Sequence, residues 1–347
     1  MHTALVADTH LSAAPCSWSE KPAVWRLLGR HLAEQDARPA FRLVWRLLRS
    51  PQRSLRWLAA LEDIRIRAGA QRVPYAMLRK NCQPYLHHGL SHRQKIHLFT
   101  THYGLIFAAF GRQFVRQLLH EEPVILARLE GKAGAVYEVQ LGINILNRNE
   151  GELILELVRT ADSRRVLSLS LVAGALHVAE LPDLWIGGSQ GASNGDGKEV
   201  TVRATRDLWG LRPKDLLIHV SYALRDLIGV ADIKGITNEA HIRHARPLKK
   251  IWHADYSQFW EELGGVPIEG GFYQLPKTRT RRSIEEVPPA KRSAWRARYS
   301  LVDAVTTEVA LRLAHIQDDN AVKLTPQMLT TPEINPDHSA ARTSISS

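Results

Sequence analysis

The sequence predicts an α+β protein: an N-terminal helical region, followed by a mixed, mainly antiparallel sheet with flanking helices. Three observations support this fold class. Apolar residues recur at helical spacing before Pro123, five strand-like segments separated by glycines follow it, and helix and strand segments alternate after Gly187. With 347 residues and 44% hydrophobic content, the chain can bury a sizeable core. The predicted organisation is a basic helical region at 1–122, an α+β domain at 123–317 and a disordered tail at 318–347.

Helical periodicity runs from Ala23 to about Ala68. Ser50-Pro51 divides it into two helices, because Ser is a favourable N-cap and Pro is tolerated at the first helical position. Five arginines step by four and three residues through this region: Arg42, Arg46, Arg49, Arg53 and Arg56. Two interpretations are open. The arginines contact an anionic membrane surface with their long side chains, or they form a solvated face.

The base excess of the chain lies at its N-terminus. Residues 1–125 contain 18 Lys and Arg against 8 Asp and Glu, whereas residues 126–240 contain 13 against 15. Such a segment attracts membrane surfaces, nucleic acids or acidic proteins. Nucleic acid is not an expected partner, since paired RNP-like aromatics and zinc fingers are missing from the sequence. The expected location is the cytoplasm, with peripheral contact to the inner membrane if the arginines bind lipid.

The chain after Pro123 predicts the sheet. Its first part reads as an antiparallel meander because Val, Ile and Leu segments alternate with glycines. The predicted strands are Val124–Leu129, Val136–Leu141, Leu153–Val158, Val166–Val172 and Leu176–Ile186. Later segments predict helices at Glu199–Trp209, Lys214–Ile228, Asp255–Leu263 and 290–315, with strands at Ala231–Thr237 and Gly271–Leu275. We expect residues 124–276 to form one sheet, with the strand ending near Ile186 beside the strand ending near Thr237.

Several sequence blocks occur in the order of a known family. They are LEGKAGAVYEVQLGIN, EGELILEL, VLSLSLV, LRPKDLL, ITNEAH, HADYSQFWEELGG, GGFYQLP and RARYSLVDAV, and they extend across roughly Leu90 to Ala310. With these blocks the chain resembles the bacterial VirK family. That family is associated with virulence and surface properties of Gram-negative bacteria, so the resemblance implies an envelope-related role and no particular reaction.

The order of elements after Pro123 also resembles the catalytic half of Gcn5-related N-acyltransferases. In that fold, the loop after the fourth strand binds the coenzyme A pyrophosphate through backbone N–H groups at a helix N-terminus. The corresponding segment here is Ile186–Gly197, which is rich in glycine. The resemblance implies acyl-coenzyme A, or the phosphopantetheine of an acyl carrier protein, as cofactor. The cofactor-binding residues that it implies are Gln190, Gly191, Gly195 and Asn238. The alternative is a surface connection.

Acyl transfer needs a base for the acceptor and an acid for the leaving thiolate. The predicted catalytic residues are His241, Glu239 and Tyr256, and Glu180 and Tyr273 are further candidates. A basic run that can bind a phosphate or acidic head group follows: Arg243, Arg246, Lys249 and Lys250. The competing interpretations are a packed aromatic helix face for Tyr256 and a solvated loop for the cations. The competing function is a non-catalytic envelope factor that binds lipid or protein.

Other kinds of site find no support in the sequence. The two cysteines, Cys16 and Cys82, are far apart and have no CxxC spacing. The pair His88 and His92 has the spacing of metal ligands on one helix face, but no HExxH motif accompanies it, so no metal is predicted. Neither a P-loop nor a strand–GxGxxG–helix unit occurs. Nucleotide hydrolysis is therefore not predicted.

Overall fold

The computed structural model describes residues 47–192, 196–244 and 255–323, together with Gly29, Phe41, Val44 and Trp45. Within these ranges the fold is α+β, with seven helices and one mixed sheet of eight strands. The helices are α1 Pro51–Ala68, α2 Tyr75–Lys80, α3 His92–Leu119, α4 Gly197–Asp207, α5 Pro213–Ile228, α6 Tyr256–Glu262 and α7 Pro289–Lys323. The strands are β1 Val124–Glu130, β2 Val136–Ile143, β3 Leu153–Arg159, β4 Arg164–Gly174, β5 Asp183–Gly191, β6 Ile233–Ile236, β7 Val266–Ile268 and β8 Phe272–Gln274.

Local capping chemistry explains the helix boundaries. Helix α1 begins at Pro51 and ends before Gly69, whose positive φ of 62° lets its N–H bond the carbonyls of the last turn. Helix α3 begins with a capping box, in which the side chains of Ser91 and Gln94 each accept a backbone N–H from the other residue. The start of α1 confirms the boundary predicted at Ser50-Pro51.

The sheet has the strand order β1-β2-β3-β4-β5-β6-β8-β7. Strands β1 to β5 are antiparallel neighbours, and β5 then pairs with β6 in parallel. In this parallel pair Leu184 lies opposite Ile233, and Ile186 lies opposite Gly235. The predicted adjacency of these two strands is therefore confirmed. Strands β8 and β7 complete the sheet with antiparallel pairing.

The strands differ from the prediction in two places. The fifth strand was predicted at Leu176–Ile186, but β5 occupies Asp183–Gly191, because the preceding segment is a solvent-exposed turn in which Val178 and Leu181 are exposed. The strand β7 was not predicted. It has only three residues, one of them Pro267, and it lies at the sheet edge, where proline is tolerated.

One hydrophobic core joins the N-terminal helices to the sheet. Helices α3, α5 and α7 pack against the sheet, and the buried Trp57 of α1 donates its indole N–H to the Met77 carbonyl at 3.0 Å. The boundary near residue 122 therefore marks a change of secondary structure within a shared core. At the other end, α7 continues to Lys323, beyond the predicted start of the tail at 318.

A buried ion pair fixes α2 to β3. The Lys80 ammonium lies 2.8 Å from the Glu152 carboxylate, and neither side chain is exposed. Lys80 also donates to the Gly151 carbonyl at 3.1 Å, and the Tyr103 hydroxyl donates to Glu152 at 3.2 Å. Burial lowers the pKa of Lys80, while Glu152 opposes that effect. This contact holds the loop between β2 and β3, which carries the candidate site.

Candidate functional site

The site lies where the parallel strands β5 and β6 separate. Their pairing extends only from Leu184 to Ile186 on β5, and beyond that point β5 continues to Gly191 paired with β4. Tyr256 of α6 fills the opening. Its hydroxyl accepts the Ser189 N–H at 2.8 Å and donates to the Ser189 carbonyl at 3.2 Å. The phenol thus satisfies the two backbone groups that a neighbouring strand would otherwise bond.

Asn238 positions Tyr256. Its side-chain oxygen accepts the Tyr256 N–H at 2.9 Å, and its amide nitrogen donates to the Asp255 carboxylate at 3.1 Å. Asp255 is also the N-cap of α6, since it accepts the Gln258 N–H at 3.0 Å. Asn238, which was predicted as a cofactor-binding residue, therefore supports the start of α6 in this structure.

The centre of the site is Glu150, a buried carboxyl on the loop between β2 and β3. It accepts hydrogen bonds from the Ser170 hydroxyl and the Gln190 amide, both at 3.1 Å. The His241 Nε2 lies 3.6 Å from the Glu150 carboxylate, and the Arg243 Nε lies 3.8 Å from it. Two strands, β4 and β5, and the loop after β6 thus converge on the carboxyl group of Glu150.

Two glycines make this convergence possible. A Cβ at Gly187 would overlap the Glu150 carbonyl oxygen, and a Cβ at Gly188 would overlap the Glu150 carboxylate. The glycine-rich segment therefore has a different role from the predicted one at these two positions. Its glycines admit the Glu150 loop against β5, as a close backbone approach requires.

Burial controls protonation in this cluster. It raises the pKa of Glu150 to about 7, although Arg243, Ser170 and Gln190 favour the charged form. Burial also lowers the pKa of His241 to about 3, and the Arg243 charge adds to this effect. Because the His241 Nδ1 accepts the Arg243 N–H at 3.2 Å, the neutral ring carries its proton on Nε2, which faces Glu150.

These pKa shifts assign different chemical roles to Glu150 and His241. Glu150 titrates near neutral pH and can accept a proton there, whereas His241 is a poor base and presents an N–H donor. Burial also raises the pKa of Tyr256, whose hydroxyl is already bonded to Ser189. The geometry therefore favours Glu150 as the base. His241 lies beside its carboxylate, and Tyr256 packs against His241.

One cavity borders the cluster, and a second, larger cavity shares a lining residue with it. The smaller, of about 170 Å³, is lined by Pro84, Leu146, Asn147, Arg148, Asn149, Glu150, Ile242 and Arg243. The larger, of about 910 Å³, is lined by Glu138, Gln140, Leu146, Glu156, Val158, Thr160, Asp162, Ser163, Arg164, Arg165 and Ala192. Leu146 lines both, so the larger groove lies next to the cleft at Glu150. Its volume lies in the range of small-molecule sites.

A row of polar side chains leads from the groove to Glu150. Gln140 lies opposite Glu156, Glu156 opposite Ser168, and Ser168 opposite Gln190, so the row crosses four strands. Alternate residues of these strands, such as Leu155 and Leu169, belong to the core. The polar residues therefore lie on the second face of the sheet, because side chains alternate along a strand.

The remaining predicted residues lie elsewhere. Glu239 and Glu180 are both exposed, and the Glu180 carboxylate lies 4.0 Å from the His177 Nε2. The Tyr273 hydroxyl donates to Glu261 at 2.7 Å. A Cβ at Gly191 would meet no atom of the described chain within 4 Å. Four predicted residues fall outside the described residues: Gly195, Arg246, Lys249 and Lys250. In the part of the chain that the structure describes, no His, Cys, Asp and Glu side chains form a group that could hold a metal ion.

The sequence analysis missed Glu150 and Ser170. A usable signal was present in β4, where Ser168 and Ser170 alternate with leucines in a strand that is otherwise apolar. Two serines two residues apart point to the same face of a strand and indicate that this face is polar. Glu150 follows three polar residues in a loop, and no local pattern marks it as buried.

Comparison with known proteins places this α+β chain in a family. The family described as "Protein of unknown function (DUF535)" matches residues 33–311. The chain is 30% identical over 275 residues to the "Uncharacterized protein YbjX" of Escherichia coli (strain K12), covering 76% of this chain and 81% of the relative. A Haemophilus influenzae relative, "Uncharacterized protein", is 24% identical over 216 residues, covering 62% and 70% of the two chains. The chain belongs to the VirK/YbjX family, which confirms the resemblance. No solved structure matches it.

The buried carboxyl makes stability depend on pH. Because the folded pKa of Glu150 is about 7 against an ordinary value of 4.5, folding favours its neutral form. Stability from this group is complete below pH 4.5 and is lost as the pH rises through 7, by about 3 kcal/mol in all. Glu150→Gln removes this loss. We expect the variant to gain stability relative to wild type between pH 5 and pH 8, measured by urea unfolding. A constant difference across this range would contradict the assignment.

Proposed function

We propose that this protein is an acyltransferase that uses a thioester donor, with Glu150 as general base. The observation that supports it most is a buried carboxyl with a pKa of about 7 beside the point where a parallel strand pair separates. A base with a pKa near the working pH combines a useful ionised fraction with sufficient proton affinity. The carboxyl also borders a cleft, so a substrate can reach it.

The sheet topology supports the same class. An antiparallel meander of five strands passes through helices α4 and α5 into a parallel strand β6, and α6 then leads into a final hairpin. This order is similar to the Gcn5-related N-acyltransferase core. The similarity is one of topology, and function depends on the site rather than on the fold.

In the proposed reaction, Glu150 first accepts a proton and later donates it. The ionised carboxylate removes a proton from the acceptor amine or hydroxyl while the nitrogen or oxygen attacks the thioester carbonyl carbon. The C–S bond then breaks, and the protonated Glu150 returns the proton to the leaving thiolate. No net oxidation occurs. Arg243, Ser170 and Gln190 favour the ionised form of the carboxylate and so help Glu150 to act as a base.

The two substrates would enter from the two cavities. The smaller cleft carries Arg148 and Arg243, whose charges attract the phosphates of acyl-coenzyme A or of an acyl carrier protein's phosphopantetheine. The larger groove pairs its charges internally, as in Arg165 with Glu156 at 3.3 Å. Such a balanced polar lining suits an uncharged or weakly charged acceptor, since neither sign of charge dominates it.

Binding of the donor is the first test. We expect calorimetry to detect coenzyme A and acyl-coenzyme A at sub-millimolar concentration, and Arg243→Gln to weaken that binding about tenfold, as the loss of one charge-assisted contact implies. The matched control is Arg203→Gln, because Arg203 is exposed on α4 and pairs with Glu199 in the same helix.

A second outcome would favour the competing function. The phenol of Tyr256 already satisfies Ser189 in the strand opening, which is what a closed, non-catalytic fold would also require. If millimolar coenzyme A species give no heat, and holo acyl carrier protein does not raise the melting temperature, the protein is better described as a non-catalytic envelope factor that binds lipid or protein.

A further inference from the structure

An exposed apolar row lies just before helix α1. Phe41, Trp45 and Leu48 have exposed fractions of 70%, 59% and 61%. Their spacing of four and three residues places them on one face of a helix, and all three positions are helical. Large apolar side chains that are exposed together, rather than singly, mark interaction surfaces.

Exposed arginines accompany this row. Arg49, Arg53 and Arg56 are all exposed, and no acidic side chain of the described residues forms an ion pair with them. In helix α1, which carries Arg53 and Arg56, Trp57 and Leu58 are buried in the core. The cations and the apolar row are both exposed to solvent. We name Phe41, Trp45, Leu48, Arg49, Arg53 and Arg56 together the arginine–aromatic surface.

We propose that the arginine–aromatic surface binds an anionic lipid bilayer peripherally. Apolar side chains enter the boundary between head groups and acyl chains, tryptophan favours that boundary, and arginines reach lipid phosphates. The combination favours lipid over nucleic acid, because a phosphate backbone satisfies the arginines but leaves Phe41 and Leu48 in water. Among the described helices, none has the length and apolar content to cross a bilayer.

This surface is independent of the catalytic proposal. It consists of residues before and within α1, whereas the Glu150 cleft is lined by the loops near residues 84, 146 and 242. Trp57 does not belong to this surface, because it is 1% exposed and its indole N–H bonds the Met77 carbonyl. Trp45 is the tryptophan that can enter. Arg42 and Arg46, which the sequence placed in the same stripe, lie outside the described residues.

Vesicle co-sedimentation tests the lipid contact with the full chain. We expect binding to vesicles of 30% phosphatidylglycerol in phosphatidylcholine, weak binding to pure phosphatidylcholine, and a decline as salt rises. Changing Arg49, Arg53 and Arg56 to Gln should weaken binding about a hundredfold, since each surface arginine contributes about fivefold. The control carries the same charge change at Arg203, Arg206 and Arg282, which are exposed elsewhere. Equal weakening in both variants would overturn the proposal in favour of non-specific charge attraction.

Fluorescence tests the apolar half of the surface. When Trp45 enters the bilayer, the tryptophan emission maximum of wild type should shift to shorter wavelength. Trp45→Phe should remove most of that shift. It should leave the melting temperature unchanged, because Trp45 is exposed. A shift that persists in Trp45→Phe contradicts the assignment. Binding to a 30-base-pair duplex that equals or exceeds vesicle binding, and that Trp45→Phe does not alter, would identify nucleic acid as the partner instead.

Discussion

Replacing Lys80 by Met is expected to lower the free energy of unfolding by about 3–5 kcal/mol. The substitution leaves the Glu152 carboxylate, which has no exposed surface, without its opposite charge. It also removes the hydrogen bond to the Gly151 carbonyl. The cost is therefore that of an uncompensated buried charge rather than that of lost packing, since Met has a similar length and is apolar.

Urea unfolding at pH 7 measures this effect. Lys132→Met is the matched control, because Lys132 is exposed, and its change should be within about 0.5 kcal/mol. The double variant Lys80→Met with Glu152→Leu should recover most of the lost stability, as replacement of a whole buried pair often does. If the double variant is no more stable than Lys80→Met, the buried charge is not the cause.

Replacing Glu150 by Gln is expected to lower the rate of acyl transfer by about 10²–10⁴, the usual effect of removing a general base. Gln can still accept hydrogen bonds from Ser170 and Gln190, so the fold should persist. In wild type the rate should rise with pH and level off above about 7, because only the ionised Glu150 accepts a proton. The residual rate of the variant should lack that rise.

Thiol release from acyl-coenzyme A in the presence of an acceptor measures this rate. Glu180→Gln is the control, because Glu180 is exposed and lies outside both cavities. His241→Gln separates the two candidate bases. If His241→Gln abolishes the pH dependence while Glu150→Gln leaves it intact, His241 is the base, as the sequence alone predicted.

The sequence analysis succeeded where the local signal and the tertiary structure agree. The capping box at Ser91 and Gln94 and the proline at the start of α1 set helix ends through neighbouring atoms. The parallel pairing of β5 with β6 was also predictable, because the helical segment between the strands returns the chain in the same direction. The helix ends depend on short-range chemistry, whereas the strand pairing depends on the helical connection between the strands.

The site could be predicted only in part. His241, Arg243 and Tyr256 were identified because they follow a strand end, and they do lie near one another. Glu150 was missed because its burial depends on contacts with Ser170 and Gln190 that are distant in sequence. The segment Ile186–Gly197, which contains Gly187 and Gly188, was interpreted as a pyrophosphate-binding loop, since a sequence does not distinguish room for a phosphate from room for a neighbouring loop.

The phenol of Tyr256 has a consequence for any ligand that carries amide groups. A ligand that extends β5 as an added strand would need the same Ser189 N–H and carbonyl that the hydroxyl now occupies. Ligand and side chain therefore compete for one pair of backbone groups, and the measured affinity includes the free energy needed to move the Tyr256 hydroxyl away from Ser189. Asn238 contributes to that free energy, because it holds the start of α6. Loosening α6 at this residue should thus tighten ligand binding without any new contact to the ligand.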